Sequence, residues 1–215
     1  TAGPWLGIIL TTIPFGLLHG AQNHWHWQPI VLVGAAGAVF GWVRYVTGST
    51  TAAFLLHASY NGTQFVAYAE TLHYETSHAL EFIDITADIQ NVVARSGVQY
   101  GQLMIMSNHT TAAIVLNEHE PLLLNDMARV LSRIAPAGDY YEHNDFSIRT
   151  VNMTDRECAN GHAHCQHLFL GSSEAVPIHE GAAHIGQWQS LFLVELDHAR
   201  PRSVFVQAMG TSAAR

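Results

Sequence analysis

Through the first 69 residues the apolar positions run in long blocks, and from residue 70 onward they come in short, regularly spaced segments. Three blocks stand out: Trp5 to Leu18, Pro29 to Val43 and Thr51 to Ala69, separated by Gln-Asn-His-Trp-His-Trp and by Thr-Gly-Ser-Thr. Each is long enough for a helix. A bilayer span needs about 20 mostly apolar residues, so the first two are short for one, and the third carries His57, Asn61 and Gln64. Trp25 and Trp27 beside Pro29, and Trp42 with Tyr45 near Arg44, have the character of interfacial aromatics flanking the middle block. A membrane-embedded helical segment is the expectation; a buried helical hairpin of a soluble protein is the alternative.

From Leu72 the texture is that of a mixed antiparallel sheet with helices. Leu80 to Thr86 alternates with period two and predicts a strand. Thr86 is then expected to cap an amphipathic helix, Ala87 to Ser96, with Ile89, Val92 and Val93 on one face and Gly97 as its stop. Gln102 to Ser107 and Thr111 to Leu116 predict two strands around Asn108-His109-Thr110. Pro121 suits the first turn of a helix whose stripe of Leu123, Met127, Val130, Leu131 and Ile134 is expected in the core. Glu174 to Ile178, a turn at Glu180-Gly181, Gln187 to Glu195, a turn at Asp197 to Arg200 and Ser203 to Met209 follow, the last two segments reading as a terminal hairpin. The fold class is therefore α+β, antiparallel sheets with packed helices, after an N-terminal all-α segment. The expected domains are 1–69 and 71–215, with the junction confined to about Glu70 to Ala79.

Charge sharpens this division. Arg44 is the only formal charge before Glu70, whereas all 17 acidic residues and the other eight basic ones follow. A net charge of -8 without a basic run gives no footprint for a phosphodiester backbone, so nucleic acid is not an expected partner. The chain has no lysine, which excludes Schiff-base chemistry and a P-loop lysine. Phosphate recognition falls to Arg, His and backbone amides. Cys158 and Cys165 fit neither a disulfide framework nor a paired-cysteine zinc knuckle, so a reducing cytoplasm is the default. The start of the chain, without a basic stretch ahead of an apolar core, does not read as a signal peptide and reads as internal to a longer protein.

Fifteen histidines point to metal or proton-transfer chemistry. They gather at Asn108-His109-Thr110-Thr111 with Asn117-Glu118, at Glu142-His143-Asn144-Asp145, and from Asn160 to His167. Imidazoles and carboxylates converging from separate segments would suit a divalent ion such as zinc or magnesium. Taken singly each cluster reads as solvated polar residues or capping groups, the expectation for His162, His167, His179, His184 and His198.

In the apolar blocks, Phe15 with His19 and His57 with Asn61 each share one helical face, and an ionisable residue within an apolar span marks a site. These residues resemble the F-x-x-x-H and H-x-x-x-[ND] motifs of the CPBP family of intramembrane proteases, which includes the C-a-a-X prenyl endopeptidases. The family's E-E-x-x-x-R motif, whose acidic pair activates water, has no counterpart, because no acidic residue precedes Glu70. The resemblance makes His19, His57 and Asn61 site residues of a protease-like segment that lacks its general base and should not cleave peptides.

The polar two-thirds resembles the YjbQ family, often described as thiamine-phosphate-synthase-like, in seven ordered strings. They are His109-Thr110-Thr111-Ala112, Asn117-Glu118, Glu142-His143-Asn144-Asp145, Asn160-Gly161-His162-Ala163-His164, Leu170-Gly171-Ser172-Ser173, Gly186-Gln187-Trp188-Gln189 and Glu195-Leu196-Asp197-His198-Ala199-Arg200. Gln187 and the His198-Ala199 pair depart from the family's G-T-W-Q and D-G-P-R. The resemblance implies His109, His143 and His164 as catalytic groups and metal ligands, with Glu118, Asp145 and Glu195 as acid–base or supporting groups. Thr110, Asn117, Ser172, Ser173 and Arg200 would meet a phosphate, and Trp188 is expected in the core. The implied activity joins a pyrimidine pyrophosphate to a thiazole phosphate and releases pyrophosphate; the alternative is a non-catalytic metal- or anion-binding module on a membrane protein. A small phosphorylated substrate, a membrane contacted through 1–69 and a homotrimer are the implied partners, with the second domain on the cytoplasmic side.

Overall fold

The computed structural model describes residues 3–20, 25–62, 65–155 and 157–212. It divides into two compact units, the boundary falling between Phe65 and Val66.

The first unit consists of α1 (Gly3–Leu18), α2 (Trp27–Thr47) and α3 (Thr50–Gly62). Glycines let α1 and α2 close on each other. A Cβ at Gly16 would stand 3.2 Å from the Ile30 carbonyl oxygen, and one at Gly37 would strike the Phe15 ring; small residues at such spacing are how apolar helices approach in lipid. Outward-facing Leu10, Ile13 and Leu18 of α1 and Val31 and Leu32 of α2 leave much apolar surface exposed. Within α2, Ile30–Thr47 has a mean hydropathy of 1.6 and is long and apolar enough to cross a membrane; α1 is shorter. The third apolar block does not continue as a helix to Ala69. It stops at Gly62 and becomes a strand, β1 (Phe65–Glu75), which alternates exposed and half-buried positions, because Phe, Val and Tyr favour a pleated surface. Gln64 lies outside the described residues.

The second unit is a two-sheet sandwich with helices. Its remaining elements are β2 (Glu81–Asp84), α4 (Thr86–Ser96), β3 (Tyr100–Ser107), β4 (Ala112–Glu118), α5 (Pro121–Ile134), α6 (Gly161–Leu170), β5 (Ser173–His179), β6 (Ala182–Ala183), β7 (Gln189–Glu195) and β8 (Pro201–Thr211). One sheet has the order β1-β8-β3-β5-β6 and the other β2-β7-β4. The expected terminal hairpin is not formed: β7 and β8 belong to different sheets. The reason is in their side chains. On β7, Leu191 and Leu193 enter the core between the sheets while Phe192 and Val194 enter a second core with Leu131 of α5 and Ala163 of α6. A strand buried on both faces belongs at the centre of a covered sheet. β8 pairs with β3 instead, Gly101 opposite Gly210 through Ser107 opposite Val204.

Local chemistry sets several boundaries. Thr86 is the first helical residue of α4 rather than its cap, and its hydroxyl accepts the Leu191 N–H at 2.9 Å. Glu120 caps α5, its carboxylate accepting the Leu122 and Leu123 amides at 2.9 and 2.8 Å, with Pro121 in the first turn. The α5 stripe is only partly core: Leu131 is buried, while Val130 and Ile134 are about half exposed. Together with Phe169 they line an apolar groove of about 340 Å³. Trp188 is likewise not a core residue, being 69% exposed before β7.

Candidate functional site

The strands of the sandwich bring four loops to one end. β3 ends at Ser107 and β4 begins at Ala112, so Asn108 to Thr111 turn between the two sheets; β7 ends at Glu195, opposite Ala112, and Asp197 to Arg200 cross back to β8. Thr76, just past β1, ties this crossing down: its hydroxyl accepts the Arg200 N–H at 3.0 Å and lies 2.9 Å from Glu195 Oε2. The fourth wall is the segment between α5 and α6 together with the start of α6, where Asn144 Oδ1 accepts the Gly161 amide at 2.8 Å. These elements enclose a cavity of about 600 Å³ lined by His109, Thr110, His143, Arg149, Asn160, His164, Arg200 and Arg202 among others.

Each arginine of the cavity has an acidic partner. Arg149 lies 2.8 Å from Glu157, and Arg200 donates to Asp197 Oδ2 at 2.7 Å. Arg202 and Glu195 form a two-pronged pair, 2.6 Å from Nε to Oε2 with a second contact between Nη2 and Oε1, and both are essentially buried. Arg202 Nη2 also donates to Thr111 Oγ1 at 3.0 Å, and the Asp197 N–H donates to Glu195 Oε1 at 2.9 Å. The pair therefore fixes both the β3–β4 and the β7–β8 loops. Burial alone would raise the Asp197 carboxyl, but hydrogen bonds from Asn160 and His198 and the Arg200 charge outweigh it and hold it below the usual carboxylate range.

The histidines behave differently from one another. His109 Nε2 accepts the Ser203 N–H at 2.8 Å, so its neutral form carries the proton on Nδ1 and offers a donor there. Burial, followed by the Arg202 charge, holds His109 below its ordinary pKa. His143 and His164 meet edge to face with ring centroids 4.6 Å apart. Burial and then the neighbouring His143 hold His164 low as well. With Nε2 already accepting and Nδ1 protonated, neutral His109 has no free lone pair for a metal, so the expected three-imidazole ligand set is not assembled in this arrangement.

Of the residues singled out from sequence, His109, Thr110, His143, His164 and Arg200 come together on the cavity wall, and Glu195 lies directly behind it with Arg202. The others lie elsewhere. Asn117 and Glu118 end β4 about 20 Å away along the strand at roughly 3.3 Å per residue, where Asn117 donates to Met127 Sδ. Asp145 accepts from the Ser147 amide and hydroxyl and does not line the cavity. The Ser172 hydroxyl is 3.2 Å from His167 Nε2, and Ser173 opens β5 opposite Met106. His162 and His167 are half-buried on α6, not freely solvated. Arg149, Glu157, Cys158, Asn160 and Arg202 line the cavity without having been anticipated. Asn160 stood in a motif string without a role, and Arg202 carried a signal of its own: it shares the inward face of β8 with Val204, Val206 and Ala208, where a charge demands a partner.

In the helical unit, His19 Nδ1 is 2.8 Å from the Phe15 carbonyl oxygen and donates to it. The His57 ring stacks on Phe40 at 4.9 Å and meets Phe15 edge-on at 5.6 Å. His57, Phe15 and Phe40 line an open cavity of about 760 Å³ with Thr11 and Arg44. The side chain of Asn61 lies outside the described residues.

Fold and cavity together define an α+β sandwich domain with one histidine- and arginine-lined pocket at the strand ends, following an apolar helical segment. The chain belongs to the YjbQ family: residues 70–211 match the family described as UPF0047 protein YjbQ-like. Residues 1–63 match the type II CAAX prenyl endopeptidase Rce1-like family, which with α2 points to membrane association. A UPF0047 protein of Methanothermobacter thermautotrophicus is 35% identical over 66% of this chain and 92% of its own length. The UPF0047 protein YugU of Bacillus subtilis is 30% identical over 66% of this chain and 98% of its own. A crystal structure from Sulfolobus solfataricus, titled a YbjQ-like protein of unknown function, superposes with a TM-score of 0.61 at 33% identity, covering 68% of this chain and 99% of that one.

Proposed function

We propose that the sandwich domain binds a phosphorylated small molecule in the His109–His143–His164 cavity and transfers an organic group with release of pyrophosphate, the reaction class of thiamine-phosphate synthesis. The observation that carries this reading is the convergence of three arginines and three imidazoles on one cavity in a chain with no lysine. Guanidinium groups match phosphate oxygens in pairs. The carboxylate partners hold the guanidinium planes in place before a ligand arrives, so little ordering is required on binding.

The imidazoles complete the chemistry. His109 Nδ1–H donates a hydrogen bond to a phosphate oxygen. His164, held low by burial and by the neighbouring His143, takes up a proton when a polyanion enters and returns it to the leaving pyrophosphate as charge develops there. Glu195 and Arg202 act by positioning, because both loops that carry the cavity hang on them.

The test is pyrophosphate release by the full chain, in detergent micelles, from a pyrimidine pyrophosphate with thiazole phosphate as acceptor. The expected outcome is release that requires both substrates and falls about 100-fold or more in His164→Ala, the loss typical of a missing general acid. Tight pyrophosphate binding without release would leave a non-catalytic anion-binding module; neither binding nor release would overturn the reading.

A further inference from the structure

Beside the anion cavity the guanidinium of Arg200 is surrounded by an unusual set of acceptors. Its Nη2 lies 2.7 Å from Asp197 Oδ2, 2.7 and 2.8 Å from His198 Nε2 and Nδ1, against the ring rather than along one lone pair, and 3.4 Å from Cys158 Sγ. The three surrounding groups are themselves close, 2.9 Å from His198 Nδ1 to Asp197 Oδ1 and 3.6 Å from Cys158 Sγ to Asp197 Oδ2. One ligating atom from each lies within 4.8 Å of the others. A thiol, a carboxylate and an imidazole this close are the donor set of a soft divalent cation, the imidazole turning to direct one ring nitrogen at it, and one nitrogen of Arg200 now stands among them.

A second observation concerns Asn160. It is 8% exposed, its Nδ2 donates to Asp197 Oδ2 at 3.0 Å, and its carbonyl oxygen Oδ1 is buried with no hydrogen-bond partner among the described residues. An orphaned buried carbonyl is costly. Rotation of the amide would exchange the Nδ2–Asp197 hydrogen bond for a contact between that oxygen and an ion held by Asp197.

We propose that Cys158, Asp197, His198 and the Asn160 carbonyl form a binding site for a divalent cation of the zinc class, with Arg200 the cation that holds the place in the metal-free protein. The site shares the cavity rim with the pyrophosphate-releasing reading, in which Asp197 orients Arg200; cobalt binding and pyrophosphate binding are therefore read separately. Zinc bonds to nitrogen and oxygen are about 2.0–2.1 Å and to sulfur about 2.3 Å, so the ligands close by roughly 1 Å when the bulkier guanidinium leaves. Binding releases the thiol proton and frees the Arg200 guanidinium from Asp197 within the cavity it already lines, coupling metal occupancy to the charge presented there.

The experiment is titration of cobalt(II), a coloured substitute for zinc, into the metal-free full chain in detergent micelles under reducing conditions. The expected result is a thiolate-to-cobalt charge-transfer band saturating at a single ion per chain. It should survive in Cys165→Ser, which removes the other free cysteine, and vanish in Cys158→Ser. His198→Ala should weaken cobalt binding about tenfold or more, and Arg200→Gln, which removes the competing cation, should tighten it about tenfold, a difference of about 1.4 kcal/mol. Histidines elsewhere on the chain give no thiolate band. No band at saturating cobalt, or a band that persists in Cys158→Ser, overturns the site; an affinity unchanged by Arg200→Gln overturns the placeholder role of the guanidinium. Pyrophosphate binding measured on the same samples without cobalt reads the anion cavity independently.

Discussion

The buried Glu195–Arg202 pair is the most consequential two-residue feature of the sandwich domain. Its oxygens and nitrogens are satisfied on several sides, by Thr76, Thr111 and the Asp197 amide. Removing one partner strands the other charge in a dry interior, which costs about 3–5 kcal/mol, whereas replacing both by apolar groups can be neutral. Glu195→Gln should therefore destabilise the domain by about that amount in denaturant titrations, and a Glu195→Leu/Arg202→Met double variant should recover part of the loss. The histidines set a second expectation. His109 and His164 have folded pKa values lowered from 6.5. His109 faces Arg202, Glu195 and Arg200, and His164 faces His143, Asp197, Arg149 and His167. A depressed value means the folded state binds the proton less readily than the unfolded chain. Their contribution is thus fully present above pH 6.5 and is lost as pH falls through the folded values. Chemical denaturation should show stability declining below pH 6.5, before the carboxylates protonate, and less steeply in His109→Asn. At this scale the sequence exposed Glu195, His109, His143 and His164 as motif residues, but not Arg149 or Glu157, whose roles depend on a fold that brings them to one cavity with His109 and Arg200.

Among the elements, those with strong local signals were legible. The α5 start is one, because Pro121 follows a carboxylate placed to receive two orphan amides; Glu120→Ala should lower stability by about 1 kcal/mol, measured by thermal unfolding. The Glu180-Gly181 turn is another, with φ of 53° and 75° at the two residues. Both lie in the left-handed region that a tight two-residue hairpin requires. Gly181→Val should shift unfolding downward through backbone strain and through collision with Gln99, which a Cβ would approach to 2.9 Å. α6 was not legible: its histidines and small residues have little helical periodicity, and it is held by tertiary bonds such as Asn144 to Gly161. The same holds for the strand identity of Phe65 to Ala69, where a run of apolar residues serves a helix or a strand equally until its sheet partner is known.

For the whole molecule, the abrupt change in charge at Glu70 separated the two parts in sequence, and the division of the structure falls at Phe65 and Val66. The relatives from Methanothermobacter and Bacillus consist almost entirely of the sandwich domain. Expressed alone from Val66 onward, that domain should stay soluble and bind pyrophosphate as tightly as the full chain. What sequence could not supply was the sheet order, because β7 and β8 are neighbours in the chain yet lie in different layers, and the cavity exists only where their connection crosses. The most direct measurement of the central claim is titration of the full chain with inorganic pyrophosphate while following imidazole resonances by NMR. The account predicts saturable shifts at His109, His143 and His164, with proton uptake by His164, abolished in Arg202→Met. Shifts confined to other histidines, or none at millimolar ligand, would contradict it.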